Sequence, residues 1–173
     1  MERRVRGSVL NAYLKYIRVK WGEGGVKACL KDLGLTHDFK DGEYYHDEMR
    51  ENVLRWLSRT KGREYSQDAG KYVVKNLGIL AWMVRFVNVQ TLVEKFPQNY
   101  SEVYTFGKVT VDLSKDKVIA FRLYDVNRIE ESCLSWLGVC KGALEMTNTK
   151  GDVRETKCLV KGDQYCEFTV DYE

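Results

Sequence analysis

The sequence predicts an α+β fold in which N-terminal helices pack on an antiparallel sheet built from C-terminal hairpins. Three observations carry this. Apolar residues recur at helical spacing up to Pro97 and alternate with polar ones soon after it. Two alternating pairs of segments are each joined by a short polar turn. One further helical stretch separates the two pairs, and helices segregated from an antiparallel sheet define the α+β class.

Val9, Leu10, Tyr13, Leu14 and Ile17 place one apolar stripe on a first helix, which Gly22, Gly24 and Gly25 are expected to break. A short second helix is expected over residues 26–33, closed by Gly34. Residues 36–44 are polar and read as a loop. His46 and Asp47 open a third helix with Met49, Val53, Leu54 and Leu57 inward, ended by Gly62. Ser66, Gln67 and Asp68 start a fourth, with Tyr72, Val73, Leu77 and Leu80 apolar. The run from Leu80 to Phe96 reads as one helix or two, stopped by Pro97, which lacks a donor N–H.

Lys108 to Leu113 and Lys117 to Leu123 alternate as half-buried strands around a Ser114-Lys115-Asp116 turn. In the second of these, Ile119, Phe121 and Leu123 face opposite to Val118, Ala120 and Arg122. Residues 128–144 return to helical spacing through Ile129, Cys133, Trp136, Leu137 and Cys140. Two final strands, 151–159 and 165–172, are joined by Lys161-Gly162-Asp163. The length of 173 residues and the lack of a fixed repeat or linker suit one domain, residues 1–173.

With 28 basic and 25 acidic residues, the net charge of +3 is close to balance and offers no nucleic-acid surface. Arg3, Arg4 and Arg6 read as a solvated, frayed end. The most apolar run, Leu77 to Val89, is broken by Arg85 and is too short for about 30 Å of hydrocarbon, so no membrane span is expected. No secretory leader is recognised, which points to the cytoplasm. There the five cysteines read as thiols or metal ligands before disulfides.

Cys158 and Cys166 flank the Gly162 turn, so an antiparallel hairpin brings them side by side. Glu155 and Cys158 are three apart, which on a regular strand places them on opposite faces unless a bulge re-aims one. Cys133 on the preceding helix would complete a four-coordinate set of three sulfurs and one oxygen, ligands that zinc accepts. Other readings stay open. Buried cysteine behaves as a small hydrophobe, Cys158 and Cys166 can be bridged, and Cys140 lies two turns along the same helix face as Cys133. Cys29 reads as core.

Trp82, Phe86, Phe96, Tyr100, Tyr104 and Phe106 form a dense aromatic set in mid-chain. They read either as core or as the wall of an apolar cavity, with Trp82, Phe86, Phe96, Tyr100 and Phe106 as candidate ligand contacts. Arg85 and Arg122 are candidates to orient a carboxylate or phenolate there. No nucleophile–base pair stands out. Gly22-Glu-Gly24-Gly25 follows a helix and lacks the Lys-Ser/Thr of a phosphate loop, so no enzyme is expected.

The segment Glu155-Thr-Lys-Cys158-Leu-Val-Lys-Gly162-Asp163-Gln-Tyr-Cys166-Glu-Phe168 resembles the closing motif of the 4-vinyl-reductase domain. That domain occurs in stand-alone archaeal proteins and in the sensor regions of aromatic-responsive activators. The resemblance implies a structural zinc held by Cys133, Glu155, Cys158 and Cys166. It also implies a non-enzymatic sensor of a small hydrophobic or aromatic ligand. Its specific motif covers about the last forty residues.

More loosely, Val5-Arg-Gly7-Ser-Val-Leu-Asn11, Trp21-Gly22 and Phe96-Pro97-Gln-Asn-Tyr100 resemble the wider superfamily of heme-nitric-oxide sensors and TRAPP vesicle-tethering subunits. The first relationship makes a diverged heme or gas sensor one alternative. The second implies a homodimer or scaffold module, and a separate signalling partner would fit either. Two departures disfavour heme. The only histidines, His37 and His46, precede the position of the sensors' iron ligand, and Tyr124-Asp-Val-Asn-Arg128 lacks the serine of their propionate clamp.

Overall fold

The structure is a computed structural model and describes residues 2–36, 38–76 and 88–173. Its elements run β1 (Arg4–Arg6), α1 (Gly7–Asp32), β2 (Tyr44–His46), α2 (Glu48–Thr60), α3 (Glu64–Asn76), α4 (Val89–Glu94), α5 (Phe96–Val103), β3 (Lys108–Lys115), β4 (Val118–Tyr124), α6 (Glu130–Met146), β5 (Gly151–Lys157) and β6 (Cys166–Tyr172). The last four strands form one antiparallel sheet in the order β3-β4-β6-β5.

Period-two patterning sets the sheet's two faces. Ile119, Phe121 and Leu123 of β4 and Cys166, Phe168 and Val170 of β6 are buried on one face, where the helices lie. Arg122 points the other way and pairs with Glu167 at 2.6 Å and Asp112 at 3.2 Å. It is therefore a cross-strand tie on the outer face and not a ligand contact.

Several expected boundaries move. The first two helices are one element, kinked at Gly22, whose φ of 68° is open to glycine without a Cβ clash. Pro97 opens α5 from its first turn, where a missing N–H costs nothing. The N-terminus is not frayed: β1 pairs with β2, with Val5 opposite Tyr45, and Val5 is fully buried. The β3–β4 turn falls at Asp116 and Lys117, two residues beyond Ser114. Asp47 precedes α2 as expected, but its carboxylate serves Arg50 and does not cap the helix.

α3 and α6 approach until backbone meets backbone. A Cβ on Gly70 would fall 1.9 Å from the Ser135 carbonyl oxygen, and one on Gly138 would fall 1.9 Å from that of Gln67. Only glycine permits this crossing, and it fixes α6 between α3 and the sheet. From there α6 serves two regions, an aromatic-walled cavity and a cysteine cluster.

Candidate ligand cavity and metal centre

Between α1, α3, α5 and α6 lies a cavity of about 500 Å³. Pockets of about 300–1,000 Å³ are those that enclose small organic ligands. Phe96, Tyr100, Tyr104 and Trp136 form much of the wall. Tyr100 and Tyr104 stack with centroids 4.5 Å apart and planes 13° from parallel. The Trp136 ring lies 5.9 Å from Phe96 and 6.4 Å from Tyr104.

The polar groups in this wall are mostly spoken for. Tyr13 Oη and Ser135 Oγ are 2.7 Å apart, and Tyr100 Oη donates to the Phe106 carbonyl at 2.8 Å. Burial pushes the phenols of Tyr13, Tyr100 and Tyr104 up, away from ionisation. Close to this wall sits a buried ion pair. Arg50 donates to Asp47 through Nε at 2.7 Å and Nη2 at 3.0 Å, and to Ser132 Oγ through Nη1 at 3.1 Å. Burial opposes the Arg50 charge, but the Asp47 carboxylate outweighs it and holds the guanidinium firmly protonated.

Of the expected ligand contacts, Phe96 and Tyr100 line the cavity. Phe106 packs beside Tyr104 and carries Arg3 over its ring at 3.9 Å. Trp82, Phe86 and Arg85, like His37, lie outside the described residues. Tyr13, Ser135 and Arg6 line the cavity unforeseen. Tyr13 looked like one more residue of an apolar stripe, and Arg6 like part of a loose end.

A bulge and a hairpin bring Cys133, Glu155, Cys158 and Cys166 together. In the β5–β6 ladder Glu155 pairs with Phe168 but Lys157 pairs with Glu167, so an extra residue bulges from β5 at Thr156. The bulge reverses side-chain parity and brings Cys158 to the face that carries Glu155 and Cys166. Cys133 Sγ, from the first turn of α6, lies 3.7 Å from Cys158 Sγ and 3.9 Å from Cys166 Sγ. One ligand atom from each of the four residues falls within 4.8 Å of every other.

All five cysteines are free thiols. Cys29 and Cys140 are buried elsewhere, and burial pushes each up to about 12. Cys166 differs. The Cys133 thiol, the Leu159 N–H at 3.2 Å and Asn127 Nδ2 at 3.4 Å all donate to its sulfur, which lowers its pKa and favours a thiolate. Glu155 Oε1 is buried with no hydrogen-bond partner, while Oε2 accepts from Lys161 at 3.4 Å. A buried carboxylate oxygen without a donor carries uncompensated negative charge that a cation can neutralise.

No family model and no curated protein matches the sequence, so the 4-vinyl-reductase assignment gains no support. Solved structures do match. An H-NOX protein from S. oneidensis in the Fe(II)NO ligation state is 14% identical, with a TM-score of 0.80 over 97% of this chain and 99% of that one. An oxygen-binding H-NOX domain related to soluble guanylate cyclases, in its oxygen complex, is 13% identical with a TM-score of 0.76 over 97% and 95%. An H-NOX structure described as probing the function of heme distortion has a TM-score of 0.77 at 13% identity over the same shares.

These neighbours correct the cofactor expectation, which set structural zinc first and disfavoured heme. Proteins described by their heme and iron states share the fold along nearly the whole chain. The two missing motifs are local, and they do not remove the scaffold. At 12–14% identity the likeness shows the fold, and the chain has the H-NOX fold.

Proposed function

We propose that the chain is a ligand-sensing domain without catalytic activity, and that its ligand occupies the cavity between α1, α3, α5 and α6. The observation that carries this reading is the cavity itself, about 500 Å³ and walled by Phe96, Tyr100, Tyr104 and Trp136. The hydroxyls of Tyr13, Ser135 and Tyr100 are bonded to one another or to the backbone, and burial suppresses ionisation of the two phenols, which suits enclosure of a ligand and not proton transfer.

Heme is the first ligand to test, because the fold neighbours include Fe(II)NO and oxygen complexes. The volume and the aromatic wall suit a flat apolar ring. Histidine ligation does not fit the described residues: His46 lies on β2, pairs with Glu2 at 3.0 Å and does not line the cavity. The phenols of Tyr13, Tyr100 and Tyr104 are held neutral by burial, so they would pack against the ring and do not fit iron ligation as phenolates either. Bound heme would supply an iron that takes a gas. The chain's own residues would cover the ring and exclude water. Titration with hemin, followed in the Soret region, tests this. A sharpened band saturating at one equivalent supports heme, and the spectrum of free hemin turns the reading to an iron-free apolar ligand.

A second reading, of the hairpin, is that Cys133, Glu155, Cys158 and Cys166 hold a metal ion that clamps the β5–β6 turn to α6. The sulfur spacing favours it. A tetrahedral ion with metal–sulfur bonds of about 2.3 Å separates its sulfurs by about 3.8 Å, against the 3.7 and 3.9 Å seen here.

A further inference from the structure

We infer that the cavity's ligand carries an acid group, and that Arg6 and Asn99 receive it; this rests on the cavity being the ligand site. Arg6 Nε and Asn99 Nδ2 are both buried without a hydrogen-bond partner, and both residues line the cavity. They come from different elements, β1 and α5, so the coincidence is not a feature of one local turn.

The neighbouring arginines make the contrast. Arg3 pairs with Asp47 at 3.6 Å and Asp125 at 3.3 Å, and Arg4 pairs with Glu2 at 2.5 Å. Arg6 has no ion-pair partner among the described residues. Two carboxylates share the cavity lining with it and leave it alone. Asp41 accepts from Asn11 Nδ2 at 2.7 Å, and Glu102 makes no ion pair among the described residues. A guanidinium is always charged and presents a rigid fork of donors, so an unpaired Arg6 Nε with the unpaired amide N–H of Asn99 in the same lining makes a receptor for a carboxylate or similar anion. Lys15, also in the lining and also without an ion pair among the described residues, adds positive charge. The ligand class that matches both halves of the cavity is a flat or extended apolar body bearing a carboxylate.

The test uses two fluorescent probes with the same ring and chain, 1-pyrenebutyrate and the neutral 1-pyrenebutanol, titrated into the wild type, Arg6→Met, Arg6→Lys and Asn99→Leu. The acid is expected to bind the wild type about tenfold or more tightly than the alcohol. Arg6→Met is expected to erase that preference while leaving the alcohol's affinity within about twofold, and Arg6→Lys to keep part of it. Asn99→Leu, on a separate element, is expected to weaken the acid selectively by a smaller factor. Equal binding of acid and alcohol in the wild type, or a preference that survives both Arg6→Met and Asn99→Leu, overturns the acid site and leaves the cavity standing. Binding of neither probe overturns the cavity as the ligand site, and this inference with it.

Discussion

Cys133 Sγ lies 3.7 Å from Cys158 Sγ although the two residues are 25 positions apart, one on α6 and one beyond the bulge of β5. That separation matches the sulfur–sulfur edge of the proposed tetrahedral site with metal–sulfur bonds of about 2.3 Å. The purified protein is therefore expected to carry about one equivalent of metal, and Cys158→Ser to lose it. A site saturated a hundredfold above Kd contributes about 2.7 kcal/mol, which in a chain of this size is roughly 5–10 °C of Tm. Elemental analysis and thermal melts check both. A metal-free wild type whose melting is untouched by Cys158→Ser would remove the centre.

The α3–α6 crossing predicts an unusual sensitivity to one methyl group. Gly138→Ala puts a Cβ 1.9 Å from the Gln67 carbonyl oxygen, so the helices must part. The expected loss is about 1–3 kcal/mol or more, with Ser135 and Trp136 displaced from the cavity wall. Urea unfolding measures the first effect and Trp136 emission reports the second. An unchanged midpoint would mean that the helices are not in backbone contact.

Arg50 and Asp47 are each almost wholly buried. Among the described residues, Arg50→Met leaves the Asp47 carboxylate only Arg3 at 3.6 Å as a cationic partner, and is expected to cost about 3–5 kcal/mol. Asp47→Leu/Arg50→Met together should cost less than Arg50→Met alone, because no lone charge remains. A double-mutant cycle by urea unfolding decides, and a double mutant less stable than Arg50→Met would contradict the pairing.

Glu145 on α6 accepts from Lys71 at 2.8 Å and from Lys75, both on α3, and these bonds hold its carboxyl below the usual range. A depressed folded-state pKa contributes stability that is present above the unfolded value and is lost as pH falls through the folded one. Tm is thus expected to drop from about pH 4.5 downward in the wild type, with a smaller drop in Glu145→Gln. The pair is exposed, so at pH 7 the variant should differ by no more than about 1 kcal/mol. Parallel pH curves for the two proteins would deny Glu145 this role.

Much of this architecture is legible in the residue order. Ile119, Phe121 and Leu123 alternate, so their strand and its buried face follow. The Gly162 turn likewise places Cys158 against Cys166. What was hidden depends on distant partners. β1 is three residues long and is defined by distant partners, β2 some forty positions on and a bridge from Val5 to Tyr104, so Arg4 to Arg6 carry no local strand signal. Arg6 consequently passed for a solvated charge. Pro97 reads as a stop in sequence because its missing donor is the same whether it ends one helix or begins the next. The bulge at Thr156 left no mark of its own. It was required by the demand that Glu155 and Cys158 share a face, and the ladder supplies it.

The proposed function rests on the cavity, and Val73 on α3 lines it. Native mass spectrometry of wild type and Val73→Trp, each incubated with hemin and separately with 1-pyrenebutanol, tests it most directly. One adduct per wild-type chain is expected with at least one of the two, and its loss when the tryptophan side chain fills the space. Adducts of equal strength in both proteins, or none in the wild type with either compound, would contradict it.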